Sequence, residues 1–235
     1  MQRYFSVNKN LELSKDDIHH IINVMRMKAG DKIEIVYDEN VYLCNLDSVD
    51  KNNISYSVLE KLDINNELSK KITIAYALVN ENKTDFILQK CTELGANSFI
   101  PLYMKNSKIK IDKKEDKKVE RWNKITKEAA EQSFRNISPK VSNIMDLKEL
   151  VKLDYDLKLI ASTTEKEKTI KNVLQNYSNY DTILIVVGPE GGIDPEEEDF
   201  LVNNEFKKVT LGDSILRCET APLFIMSAVR YELMR

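Results

Sequence analysis

The sequence predicts an α/β protein of two domains, a small barrel-like β domain followed by a larger domain of alternating strands and helices. Three observations predict it. Residues 1–62 form short runs rich in Ile, Val and Tyr with polar residues between them, and contain a single helical stretch. Residues 63–71, DINNELSKK, are polar, lack apolar periodicity and read as a linker. From residue 72 onward, apolar strand candidates alternate with helical stretches, the pattern of a parallel sheet covered on both faces. The domains are therefore placed at 1–68 and 69–235.

Element by element, strands are expected at 3–7, 32–37, 41–49 and 54–60. Ser14 precedes Lys15-Asp16-Asp17 as an N-cap and opens a helix through Ile18, Ile21, Ile22 and Met25. Ala29-Gly30-Asp31 ends it. In the second domain, strands are expected at 72–79, 98–101, 157–161, 182–187 and 208–211. Helices are expected at 84–94, 121–134, 166–175, 195–202 and 221–235. Residues 182–187 are the most apolar strand of all.

Composition narrows the function. Hydrophobic residues make up 42% and charged residues 31%, which argues for a folded globular chain. No apolar run reaches the ~18–20 residues of a membrane span, and the first ten residues, MQRYFSVNKN, lack the apolar core of a secretory signal. A cytoplasmic protein is expected. Cys44, Cys91 and Cys218 are far apart, and His19 and His20 are adjacent, so neither a disulfide framework nor a metal site is expected. The net charge of −3 disfavours nucleic acid as a partner, but residues 105–127 concentrate ten lysines and arginines against four carboxylates. Such a run is either a solvated face or a phosphate-binding stretch.

The densest signal follows the strand at 182–187. Gly188-Pro189-Glu190-Gly191-Gly192 turns into Ile193-Asp194-Pro195, where Asp194 suits an N-cap and Pro195 the first helical position. Glu196, Glu197 and Glu198 suit the positive end of the helix dipole. Ligands of open α/β sheets sit beyond the carboxyl ends of the strands. The loop is neither a P-loop nor GxGxxG, and its glutamates would repel phosphates. A cationic or neutral ligand fits better, and S-adenosylmethionine, a sulfonium, meets that requirement.

A second signal, Leu211-Gly212-Asp213-Ser214-Ile215-Leu216-Arg217-Cys218-Glu219-Thr220-Ala221, also lies between a strand and a helix, with Thr220 as a reasonable N-cap. Arg217 and Glu219 are a charged pair. They form either a surface ion pair worth at most ~1 kcal/mol, or an anion-holding arginine beside a proton-accepting carboxylate. Two weaker stretches, 83–95 and 121–135, carry Lys83, Glu131, Gln132 and Arg135, and read equally as capping and packing networks. Arg121-Trp122 reads as a packing pair before a nucleic-acid stack.

With these residues the chain resembles the RsmE family of 16S rRNA (uracil-N3)-methyltransferases in the SPOUT superfamily. The resemblance runs through Arg3-Tyr4-Phe5, the stretch from His19 to Arg26 with Gly30-Asp31, Gln89-Lys90 with Glu93-Leu94-Gly95, Arg121-Trp122, the stretch from Glu128 to Arg135, and both late loops. It implies an N-terminal PUA-like β-barrel, a C-terminal α/β domain with a trefoil knot, and a homodimer through that domain. It implies S-adenosylmethionine held by Val187, Gly188, Pro189, Glu190, Gly191, Gly192, Leu211, Gly212, Ser214, Ile215, Leu216, Thr220 and Ala221. It further implies a substrate in the 16S rRNA of the small ribosomal subunit, contacted by Arg3, His20, Arg26, Lys83, Glu131, Gln132 and Arg135. Asn80-Glu81-Asn82 stand where the family often has Lys-Gly-Asp, and Phe134 where many members have a small residue.

Uracil N3 carries a proton and is a poor nucleophile at neutral pH. Arg217 is expected to stabilise negative charge on the ring, and Glu219 to take the proton or to orient Arg217. Two other readings stay open. One is an RNA-binding or ribosome-assembly module without catalysis. The other is a methyltransferase of the same superfamily with a different RNA target, such as a tRNA ribose.

Overall fold

A computed structural model describes residues 1–109, 115–176 and 179–233. The chain divides into two compact units, one of Met1–Glu67 with Ala130–Ser138, the other of Leu68–Ala129 with Pro139–Arg235.

The first unit is built on a four-stranded sheet ordered β1-β2-β3-β4, from β1 (Gln2–Phe5), β2 (Lys32–Tyr37), β3 (Asn40–Val49) and β4 (Ile54–Leu62). β1 runs parallel to β2, and the rest is antiparallel. Asp38 and Glu39, at φ 47° and 62°, make the two-residue turn between β2 and β3, whose twist matches that of the strands. Ile33 and Ile35 alternate onto one face of β2 and pack with Tyr4, Ile21, Cys44 and Leu46.

Helix α1 (Lys15–His19) opens on the expected cap. The Ser14 side chain accepts from the Asp17 amide, and the Asp17 carboxylate accepts from the Ser14 amide. The expected continuous helix instead passes into a π-helical turn, His20–Val24, with the Met25 amide donating to His20 O at 2.9 Å. Arg26 stops it at φ 53°.

The sequence boundary at 68 misses one feature. Residues 130–138 pack with the first unit. Arg3 donates to the carbonyls of Phe134 and Arg135, the Phe5 amide donates to Glu131, and Asn136 donates to Glu39 O and Ile64 O. Arg135 pairs with Glu67, whose Oε1 also accepts the amides of Asn136 and Ile137. These are backbone and buried-charge contacts, invisible to hydrophobic periodicity.

The second unit holds an all-parallel six-stranded sheet ordered β10-β8-β9-β5-β6-β7. Its strands are β5 (Lys71–Ala77), β6 (Ser98–Leu102), β7 (Lys140–Val141), β8 (Leu157–Ala161), β9 (Thr182–Val187) and β10 (Lys207–Val209). β9 shows why these strands read as solid apolar runs. Ile183, Ile185 and Val187 join one core, and Leu184 and Val186 the other. The first core is covered from α2 (Glu81–Glu93), α3 (Glu115–Gln132), α5 (Ile170–Asn176) and α7 (Thr220–Leu233), the second from α4 (Leu147–Leu150) and α6 (Pro195–Asn203).

Strand β7 and helix α4 were not expected; both are too short for a periodic signal. Helix α5 starts at Ile170 rather than 166, because Glu165 captures the amides of Lys166, Glu167 and Lys168. Thr220, expected as an N-cap, is the first residue of α7, and the expected helix end at 234–235 lies outside the described residues.

Candidate active site

All six strands of the second unit point the same way, so the loops after β5, β6, β8, β9 and β10 emerge at one edge of the sheet. β8 lies between β10 and β9. The two loops singled out in the sequence, 188–194 and 210–219, therefore flank a third, 162–169, which carries no glycine and gave no signal.

Gly192 adopts φ 76° and donates its amide to Pro189 O at 2.9 Å, so the GPEGG segment is a tight turn. Asn106, from the loop after β6, lies against it and donates to Gly192 O at 3.1 Å. A Cβ at Gly191 would come within 3.2 Å of Asn106 Cβ. The close neighbour of Gly191 is thus a side chain of the chain itself.

The acidity of this segment is largely neutralised, which corrects the electrostatic argument for a cationic ligand. Lys83 Nζ lies 2.5 Å from Glu190 and 3.1 Å from Glu219; Lys108 lies 3.2 Å from Glu190. Lys105 lies 3.0 Å from Asp194 and 3.3 Å from Glu196, and its amide donates to Glu197 at 2.8 Å. Two lysines of the basic run are therefore engaged by carboxylates of the glycine loop; Lys110, Lys113 and Lys114 lie outside the described residues.

Lys83 connects the two late loops. Its hydrogen bonds to Glu190 and Glu219 hold the ammonium above the usual lysine range, against the opposing effect of desolvation. Lys83 and Lys108 hold Glu190 below the usual carboxylate range. Burial works against the charge of Glu219, but hydrogen bonds from Cys218, from its own amide and from Lys83 hold it below that range too. Burial and the neighbouring carboxylate push the Cys218 thiol up to about 11.

The expected Arg217–Glu219 pair is not formed. Glu219 turns to Lys83 and Cys218, whose Sγ donates at 3.1 Å, while Arg217 is exposed and its side chain has no partner among the described residues. In the same loop Gly212 and Ser214 are exposed, Leu211 and Leu216 are half-buried, and Ile215 is 82% exposed. Thr220 and Ala221 donate their amides to Arg217 O.

Among the expected substrate contacts, Lys83 belongs to the second unit and the other six to the first. Arg3 and Arg135 are 2% and 3% exposed. The Arg3 guanidinium is spent on Glu34 and two carbonyls, and Arg135 on Glu67. Both guanidiniums are engaged inside the first unit, where they hold its strands and residues 134–135 together. His20 is half-buried with Nδ1 3.0 Å from the Tyr4 hydroxyl, Glu131 is half-buried, and Arg26 and Gln132 are exposed. Trp122 is buried in the core and Arg121 pairs with Asp85.

Among the described residues there is no group of side chains arranged to hold a metal ion. A groove of ≈ 410 Å³ lined by Tyr155, Asp156, Val202, Phe206 and Lys207 involves the amino ends of β8 and β10, opposite the loop edge.

Two family models match the chain. Residues 66–230 match a family model described as an RNA methyltransferase domain, and residues 13–58 one described as an RNA methyltransferase PUA domain. The fold and its loops thus define an RNA methyltransferase with a PUA-like N-terminal domain. Ribosomal RNA small subunit methyltransferase E of Bacillus subtilis is 39% identical over 99% of this chain and 97% of its own. That of Mesomycoplasma hyopneumoniae is 36% identical over 97% and 98%. The chain belongs to the ribosomal RNA small subunit methyltransferase E family. The crystal structure of the Neisseria gonorrhoeae member bound to S-adenosyl methionine superposes with a TM-score of 0.87, at 28% identity and over 98% and 97% of the two chains.

Proposed function

We propose that this chain methylates N3 of a uridine in 16S rRNA with S-adenosylmethionine, bound at the carboxyl edge of the parallel sheet. One observation carries the reading: the loops that hold the family's motifs flank β8 and are tied together by Lys83. The residues suit the cofactor. The exposed residues 212–215 and the apolar Leu211, Ile215 and Leu216 offer a surface for a nucleoside, at the same sheet edge as the glycine turn. When bound, S-adenosylmethionine supplies an electrophilic methyl group on sulfur.

The chain's own residues must free a lone pair on N3. Arg217, exposed and unpaired among the described residues, is the residue proposed to hold the negative charge that develops on a uracil oxygen. Lys83 and Cys218 both engage Oε2 of Glu219, so this carboxylate is proposed to take the N3 proton rather than to orient Arg217. Glu219 serves as proton acceptor, and its depressed basicity makes the Arg217 contribution necessary. N3 lies on the pairing edge, so the base must be unpaired or flipped. In the first unit Arg26, His20 and Gln132 are the residues proposed to meet RNA. The superfamily's trefoil knot, a homodimer through the second unit and a cytoplasmic location belong to the same reading. Exposed Phe224 and Tyr231 on α7 support the homodimer, and the absence of any helix long and apolar enough to cross a membrane, among the described residues, is compatible with the location.

Mass-spectrometric mapping of the methylated nucleoside in 16S rRNA tests the target; a methylated ribose, or no transfer, would overturn it. Arg217→Ala should lower the single-turnover rate by ~10²–10³, far more than it weakens cofactor binding, and raising the pH should rescue part of the loss. A loss below about tenfold with a flat pH response would make Arg217 a surface residue.

A further inference from the structure

The loop between the two motif loops is held by a buried carboxylate that the sequence marked only as a partner of the helix dipole. Glu198 lies in the first turns of α6, four residues past the Asp194 N-cap, and is buried. Its Oε1 accepts from Ser162 at 2.5 Å and from Thr164 at 3.1 Å, and lies 3.0 Å from Lys208 Nζ. Those partners come from the start of the 162–169 loop and from β10. One oxygen thus joins the helix after the glycine turn, the exit of β8 and the last strand.

The rest of that loop is fixed as well. Ser162 donates its amide to Val209 O at 3.0 Å, and Thr210 donates to Lys168 O at 2.8 Å, so both ends are stitched to β10 and its exit. Between them Glu165 collects three backbone amides. The loop contains no glycine, so its shape depends on these anchors rather than on permissive backbone. A buried carboxylate with a cationic partner is costly to place, and this one joins the exit of β8 to β10 from the helix that follows the glycine loop.

We infer that Glu198 is a positioning residue of the cofactor pocket: it sets the distance between the glycine turn, the 162–169 loop and β10. The inference rests on the S-adenosylmethionine reading. It requires that loosening Glu198 weakens cofactor binding while leaving the transfer step intact once the pocket is filled.

The test uses the full chain with Glu198→Gln and Ser162→Ala. Three quantities are measured: S-adenosylmethionine affinity by calorimetry, thermal unfolding, and steady-state methylation of small-subunit RNA. A charge-assisted hydrogen bond is at stake, so the Kd of Glu198→Gln should rise about tenfold or more. The KM for the cofactor should rise in parallel, with kcat at saturation within about twofold of the unsubstituted chain. Ser162→Ala removes one of the three contacts and should show a smaller rise of the same kind; it decides the matter if Glu198→Gln does not fold. Unchanged affinity in the folded variants, or a loss in kcat without one in KM, would overturn the inference and leave the cofactor reading standing. No S-adenosylmethionine binding by the unsubstituted chain would overturn both.

Discussion

A methyl group added at Gly191 would sit 3.2 Å from Asn106 Cβ, tighter than the contacts folded chains normally make. Gly191→Val should therefore displace the turn and abolish cofactor binding while the rest of the fold survives. Calorimetry on a folded variant with unchanged affinity would refute this. If Asn106 is the obstacle, Asn106→Gly should restore part of the affinity of Gly191→Ala. Arg3 carries a different expectation. It is buried against Glu34, and removing one partner of such a pair leaves an uncompensated charge. Arg3→Ala should cost about 3–5 kcal/mol in denaturant unfolding; a loss under about 1 kcal/mol would show that the pair is dispensable. The Lys83 cluster predicts a pH window. Glu190 and Glu219 titrate below the ordinary value, so their contribution is full above about pH 4.3 and is lost as pH falls through their folded values. Lys83 titrates above its ordinary value, so its contribution is full below about pH 10.4 and is lost as pH rises further. The stability that this cluster contributes should be flat between those limits in denaturant unfolding, and Lys83→Met should lower it throughout.

At the scale of elements, β2, β8 and β9 were legible to the residue, because Ile, Val and Leu dominate them and polar residues or glycine bound them. Helix α6 was legible because Asp194 and Pro195 mark its start. The site was legible only where glycine marks it. The 162–169 loop shapes itself through side-chain hydrogen bonds and offered no pattern to read, and Lys83 gave no hint that it would bridge two loops more than 100 residues further along. The π-helical turn was equally hidden, since Ile18, Ile21 and Ile22 suit an α-helix as well. That turn leaves Val24 59% exposed and Met25 39% exposed next to Arg26 in a left-handed conformation. Arg26→Ala should weaken RNA binding without changing cofactor affinity. If Arg26 meets a phosphate, the slope of affinity against salt should fall by about one; an unchanged slope would place the contact elsewhere.

For the molecule as a whole, the net charge of −3 conceals how the charges are spent. Lys83, Lys105, Lys108 and Lys208 each face a carboxylate in or beside the glycine loop, so the site edge is far less acidic than its sequence. The assignment of residues 130–138 to the first unit bears on how the chain is made. Arg3 finds the carbonyls of Phe134 and Arg135 across 131 and 132 residues. During synthesis, the strands of the first unit emerge early, and Arg3 meets Glu34 there but lacks its two carbonyl acceptors. By the time residue 138 has left the ribosome, β5, α2, β6 and α3 have left it too. The first unit is therefore expected to mature late, alongside part of its successor, instead of folding before the next unit begins. A nascent chain stalled soon after residue 68 should remain open to proteolysis, and one released after residue 138 should be the first to protect the N-terminal strands.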